Sequence, residues 1–396
     1  MRQEIGSAGW GAILFAIIMC GKTLGFGGQW FYPLSFLALV LAALANISHK
    51  VSFDSLSLIF LLYLPLTIVV NDVAPIFDVW NRYLFFVVLF VAVSPLINSS
   101  YAVRFKENIF KVIILLCCLI ASVSFVCYFI GVNLVQDMWN GGYQEYTKNT
   151  AGTFGGITSH SMLLGPISGI GTLGAVWLAT DRKHWYYYVL AVMCAGALLF
   201  AASRSSLIAT ICALGILLFF SSRNKGKSTR RILGVIVALV VSFPVWDSAL
   251  KGLNAKNEGA ITEGVKVNTR GEKWEIRLEE WKDSPVFGIG FCAVSERDAV
   301  GAGGKIEPGS SWLALLSMTG IIGFSLFVTM FIRGLRNTLR QWSPRSALIG
   351  AVLVLLGIHM TAEGHIFSAG SFLCMMVWLT LSCATEFRLR RPVARK

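Results

Sequence analysis

Charge is scarce in this sequence. Only 14% of its 396 residues are Asp, Glu, Lys or Arg, against 55% apolar, whereas soluble domains carry about a quarter charged residues. A water-soluble fold cannot hide that much apolar side chain, which excludes a soluble enzyme or binding module. Histidine is rarer still, with five in the chain, and both the HExxH zinc pattern and an Asp-rich magnesium site are missing. Walker A and nucleotide-binding glycine motifs are missing too, since Gly303-Gly304-Lys305 lacks the P-loop spacing. No cofactor and no metal are therefore expected, and energy for any reaction has to come from the substrate or from a gradient. Nine cysteines make no framework: eight lie in apolar runs and only Cys292 falls in a hydrophilic segment.

What the chain has instead is a succession of apolar runs, each near the roughly 20 residues that cross a bilayer. Twelve are readable, at 8–24, 29–45, 56–71, 80–97, 109–130, 156–179, 185–202, 206–221, 232–249, 311–332, 346–361 and 367–386. The reading is an all-α integral membrane protein of about twelve transmembrane helices. Trp10, Trp30, Trp80, Trp185, Trp246 and Trp312 stand at run ends, as an interfacial aromatic belt requires. With a cytoplasmic N-terminus and every run crossing, the inner segments are 1–7, 46–55, 98–108, 180–184, 222–231, 333–345 and 387–396. Together with Lys111 and Glu386, at the inner ends of their runs, they hold 21 of 34 Lys and Arg but 5 of 21 Asp and Glu. That leaves +16 inside and −3 outside, which accounts for the net +13 and satisfies the positive-inside rule. Both termini are thus expected in the cytoplasm. The positive charge is a topology signal and not a nucleic-acid footprint, because it is scattered over short loops. No nucleic-acid partner is expected. Ala42-Ala43-Leu44-Ala45 looks like a cleavage site but follows two apolar runs, so the N-terminus is read as part of the mature protein.

Three regions follow: 1–249 with spans one to nine, 250–310 as one large outer loop, and 311–396 with spans ten to twelve and a basic tail. Within the loop, 270–283 has helix-forming composition, and Arg270, Trp274, Arg277 and Trp281 share one helical face. Pro285 and Gly288-Ile289-Gly290 stop that helix. An amphipathic stripe of this kind either lies on the membrane surface with snorkelling arginines or caps a cavity between spans. A shorter outer segment, 131–155, is polar and glycine-containing.

Ionisable residues at span ends are expensive in lipid and can be weighed singly. Arg204 sits in Ser203-Arg204-Ser205-Ser206 between two runs; it is either a snorkelling anchor or a fork for a phosphate or diphosphate. His160, in Gly155-Gly156-Ile157-Thr158-Ser159-His160, is either a helix-end histidine or a proton-transfer group at a bending backbone. His359, Glu363 and His365 occupy the outer end of a span; His359 and Glu363 share a face if the helix continues that far. Glu363 or His365 is a candidate general base, and a structural ion pair of Glu363 with Arg204 or Arg270 is the equal alternative. Arg82, with Asp72 and Asp78, reads as an interfacial salt-bridge cluster.

These pieces together resemble the O-antigen ligase and polysaccharide polymerase superfamily of bacterial envelopes. The residues that carry the resemblance are Arg270, Trp274, Pro285, Gly288 and Gly290, the following span with Gly320-Ile321-Ile322-Gly323, the segment Phe154 to Gly165, and the arginine of Ser203-Arg204-Ser205. It covers roughly 150–330, with the N-terminal third matching only in hydrophobic pattern. The resemblance implies a GT-C-like arrangement in the bacterial inner (plasma) membrane, with the large loop periplasmic between spans nine and ten. It implies an undecaprenyl-diphosphate-linked glycan as partner, besides membrane lipids and a chain-length regulator or flippase. By position, Arg204 and Arg270 would hold the diphosphate, with Arg277 as helper, and a metal-independent transfer would follow. Ligases of this family carry a catalytic histidine just before the span that here begins Ser310-Ser311-Trp312. Its absence leaves Glu363, His365 and His160 as base candidates and favours a polymerase over a ligase acting on lipid A core. A polytopic transporter or flippase is the rival from another class, although no two related halves are visible.

Overall fold

The computed structural model describes residues 7–25, 28–47, 51–71, 78–135, 154–222, 226, 229, 269–293 and 309–386. The apolar run 232–249, most of the remaining 250–310 stretch, the segment 136–153, Asp72 and the basic tail lie outside the described residues. Twelve helices are described: α1 Ser7–Gly21, α2 Gly28–Ile47, α3 Ser55–Asn71, α4 Val79–Val93, α5 Ser100–Ile130, α6 Ser161–Arg182, α7 Tyr186–Phe200, α8 Arg204–Phe220, α9 Thr269–Asp283, α10 Ser311–Leu339, α11 Pro344–His359 and α12 Phe372–Glu386. Two two-residue strands, β1 Ser52–Phe53 and β2 Ile97–Asn98, pair antiparallel. The protein is helical and built as a membrane protein. Trp30–Ile47 of α2, Ser100–Ile130, Ser161–Arg182 and Ser311–Leu339 are long and apolar enough to cross a bilayer, and seven shorter apolar helices accompany them.

The chain divides into two compact units: Met1–Ser35, Asn108–Val267 and Thr338–His359 form the first, and Phe36–Glu107, Asn268–Asn337 and Met360–Lys396 the second. In the first unit α6 packs on α7, α8 and α11. Its small residues explain why. In lipid, helices associate by close packing and hydrogen bonds, because apolar burial between them gains little over contact with acyl chains. A side chain at Gly165 would meet Ser206 Oγ at 2.7 Å, and one at Gly169 would meet Thr210 and Leu355. One turn round, Gly171 lies against the Cys117 carbonyl and Gly174 against Ile114 and Cys118. Helix α6 therefore seats α8 and α5 against two strips of bare backbone.

The second unit is held by aromatic rings. Trp378 of α12 is fully buried, with ring centroids 4.8 Å from Phe90, 5.5 Å from Phe327 and 5.7 Å from both Phe60 and Phe86. Aromatic pairs of this geometry contribute about 0.5–1.5 kcal/mol each beyond their burial. At one end Lys106, fully buried, donates to the Ser94 and Ile97 carbonyls at 2.8 Å and to Ser382 Oγ at 3.0 Å. Asp54 accepts from Ser57 N and Arg333 at 3.1 and 2.7 Å.

Helix α10 is broken at Gly320, whose φ of 61° and ψ of −170° only glycine adopts without strain. A regular helix would fill the Ser317 and Met318 carbonyls from residues 321 and 322. Here Ile289 N donates to Ser317 O at 2.8 Å and Gly290 N to Met318 O at 3.1 Å, while Ile321 N donates to Pro285 O at 2.9 Å. The Pro285–Gly290 turn is stitched into the break. Backbone polar groups without water need such partners, and Tyr63 Oη adds one more by donating to Thr319 O at 2.9 Å.

Candidate active site

Each candidate residue belongs to one of the two units. In the first, the segment before α6 is tied down on both sides. Ser159 N donates to Thr23 O at 3.0 Å and Gly25 N to Ile157 O at 2.8 Å. Gly155 N donates to Asn133 Oδ1 at 2.9 Å, and Leu134 N to Gly156 O at 2.7 Å. His160 then caps α6 in an extended conformation, its Nδ1 accepting from Met162 N at 3.0 Å. A ring nitrogen that accepts an N–H carries no proton, so the proton of the neutral ring sits on Nε2.

Arg204 opens α8 after a tight turn in which Ala202 takes a positive φ of 49°. Ser203 is the N-cap, and its Oγ lies 2.8 Å from Ser206 Oγ. The arginine side chain is exposed.

In the second unit α9 turns Arg277 inward and leaves Trp274 exposed. Arg270 donates through one guanidinium nitrogen to the Ala362 carbonyl and through the other to the Glu363 carboxylate. The two side chains are 34% and 12% exposed. Trp274 Nε1 donates to Gly309 O and Trp281 Nε1 to Pro285 O, both at 3.2 Å. Arg277 is buried, 1% exposed, and pairs with Glu280 at 2.7 Å. Both arginines of the stripe are thus held by protein acids.

The loop after α11 completes the arrangement. Helix α11 stops at His359, so Glu363 does not continue the face of His359. The reason is that Ser311 N takes the Met360 and Glu363 carbonyls at 2.8 and 3.0 Å, which turns the chain out of the helix. Ser311 Oγ donates to Glu363 O at 2.7 Å and accepts from His365 N at 2.9 Å. His365 is buried at 5% exposure, and His359 is buried. The structure thus brings Arg270, Glu363 and His365 to one cluster on the second unit, keeps Arg277 inside, and holds His160 and Arg204 on the first. Ser311 is the site residue that the sequence did not reveal; Ser310-Ser311 was visible there only as the place where a histidine is absent. Cys292 is buried and its thiol is pushed up to about 12 by that burial, against the opposing pull of the Arg82 guanidinium. Asp78 caps α4 by accepting from Asn81 N at 3.1 Å.

Residues 189–328 match the family described as O-Antigen ligase. That match, over about a third of the chain, is a likeness of this segment to the O-antigen ligase and polymerase superfamily. It runs from α7 to beyond the break of α10 and includes Arg204, Arg270 and Arg277, while Glu363 and His365 lie past its end. No curated protein matches the chain. The likeness supports a ligase- or polymerase-type function in glycan assembly, which the family exerts on a lipid-linked glycan.

Proposed function

We propose that the protein is a polymerase that joins undecaprenyl-diphosphate-linked oligosaccharide repeat units into a surface polysaccharide or exopolysaccharide. It acts at the periplasmic face of the bacterial inner membrane, as a multi-pass protein with both termini inside, and without a metal. The observation that carries this reading is the Arg270–Glu363 cluster, a diphosphate-binding cation and a proton acceptor held side by side at a partly exposed position. Arg270 stabilises the charge growing on the departing diphosphate, and Arg204 of the first unit is proposed as a diphosphate-binding residue from the family resemblance alone. Glu363 accepts the proton of the attacking sugar hydroxyl. Among the three base candidates Glu363 is preferred because the His160 ring accepts an N–H at Nδ1 and so presents a donor, and because His365 is the more buried. Arg277 supports α9 from inside.

A lipid diphosphate is a strong leaving group, so the reaction needs no nucleotide. Ligation to lipid A core is the alternative within the superfamily, and transport is the alternative outside it. A chain-length regulator or flippase is the expected protein partner. The test is incubation of the purified protein in nanodiscs with lipid-diphosphate-linked repeat units, without nucleotide or added metal, followed by gel analysis of glycan length. Wild type is expected to give a ladder, and Arg204→Ala and Arg270→Ala each to lower its yield by about 100-fold or more. An undiminished ladder in both variants would refute the arginine mechanism; accumulation of substrate in vesicles without covalent change would favour transport.

A further inference from the structure

We infer that Lys273 is a specificity residue of the Arg270 site: it takes the second phosphate of the donor, so that the site selects a diphosphate over a monophosphate. This rests on the glycan-transfer reading above. Arg270 and Lys273 are three residues apart in α9, which puts them on one face with Cβ atoms about 5–6 Å apart. Glu272, the acid of the first turn, is two residues from one and one from the other, and so does not share that face. Both cations stand near the N-terminal end of α9, where the helix dipole and each other's charge disfavour them. An anion between them offsets both penalties.

Lys273 is half-buried and has a seat made for its stem. Gly309 has a φ of 70°, and a side chain there would meet Lys273 Cβ at 2.9 Å and Cδ at 3.2 Å. The aliphatic stem therefore lies along bare backbone, which Trp274 Nε1 fixes by donating to Gly309 O at 3.2 Å. Two residues further on, Ser311 N and Oγ hold the Glu363 carbonyl at 3.0 and 2.7 Å. The same short stretch of chain thus seats Lys273 and anchors the partner of Arg270. Arg270 gives two of its five N–H donors to the Ala362 carbonyl and the Glu363 carboxylate. The other three belong to a side chain that is 34% exposed, so Arg270 takes a phosphate while keeping Glu363. In that arrangement one carboxylate already balances the guanidinium charge. A diphosphate, which brings more negative charge and a second group of oxygens, calls on the Lys273 ammonium as well; a monophosphate is served by Arg270 alone.

The probes are inorganic diphosphate and orthophosphate, titrated calorimetrically into the full chain in nanodiscs of zwitterionic phosphatidylcholine. Lys273→Met keeps the stem on Gly309 and removes the charge. It should weaken diphosphate on the order of tenfold and orthophosphate by less than about threefold. Lys273→Arg should retain the preference, and Lys282→Met, the same charge change at an exposed position near the other end of α9, should alter neither affinity. In glycan elongation Lys273→Met should raise KM for the donor on the order of tenfold with kcat within about threefold. No diphosphate binding by wild type, equal losses for the two anions, or an unchanged diphosphate affinity in Lys273→Met overturns the inference. Bilayer headgroups offer the same phosphate chemistry. If Lys273→Met leaves diphosphate affinity unchanged but abolishes a weakening of it by added phosphatidylglycerol, Lys273 serves the bilayer and not the donor. If wild type shows the Lys273-dependent preference but elongates nothing, the selection stands and the transfer reading fails; if it elongates with KM indifferent to Lys273, the reverse holds.

Discussion

Arg270 and Arg277 lie two turns apart on one stripe of α9 and have opposite fates. The first reaches the edge of its unit and meets Glu363; the second turns inward to Glu280, and both members of that pair are 3% exposed or less. Breaking such a pair from one side leaves a buried charge without compensation, which costs about 3–5 kcal/mol. Arg277→Met should therefore lower the thermal unfolding temperature in detergent sharply, and the double change Arg277→Met with Glu280→Leu should restore most of it. Equal loss in single and double variants would show that the pair is not what holds α9. The i, i+4, i+7 and i+11 spacing made the stripe legible from sequence, but not its contacts. Whether Glu363 pairs with Arg204 or Arg270 depends on a contact 93 residues apart in the chain, which periodicity cannot reach. Ser311 was overlooked because a hydroxyl at a span end looks like ordinary capping.

At the level of elements, eleven of the twelve apolar runs coincide with described helices, and the differences are at their ends. Helix α5 begins at Ser100, nine residues before the run at 109. The charges of Arg104, Lys106 and Glu107 read as a loop, yet Lys106 is fully buried on backbone carbonyls. Helix α6 starts five residues late because the segment before it is tied to residues 23–25 and 133–134. The break in α10 was illegible: hydropathy runs unbroken from Leu313 to Gly323, and only the turn docked into it requires Gly320 to leave the helix. That docking is testable. Gly288 has a φ of 74°, and a side chain there would meet Gly320 N and the Met318 carbonyl carbon at 2.5 Å. Gly288→Ala should cost at least about 1–3 kcal/mol, whereas Gly215→Ala in α8, with open space around it, should leave the unfolding temperature unchanged or slightly raised. Comparable losses in the two would argue against the stitched turn.

Over the whole molecule the strongest inference from sequence is orientation, because Lys and Arg counts need no contact to be read. Cysteine introduced at His184, in the exposed connection between α6 and α7, should react with an impermeant thiol reagent only after spheroplasts are opened. Cysteine at Ser368, exposed after α11, should react in intact ones. Labelling with the sides exchanged would invert the topology and move the proposed chemistry to the cytoplasm. The repaired break in α10 has a mechanical meaning as well. In a continuous helix, displacement travels along the rod through its own ladder of hydrogen bonds. In α10 the ladder is spliced, and the turn that follows α9 grips it on both sides of the cut: Ser317 and Met318 before, Ile321 after. The Pro285 carbonyl thereby ties the turn after α9 to the part of α10 beyond the break, in addition to the covalent path, so a displacement of that turn is passed to both sides of the cut.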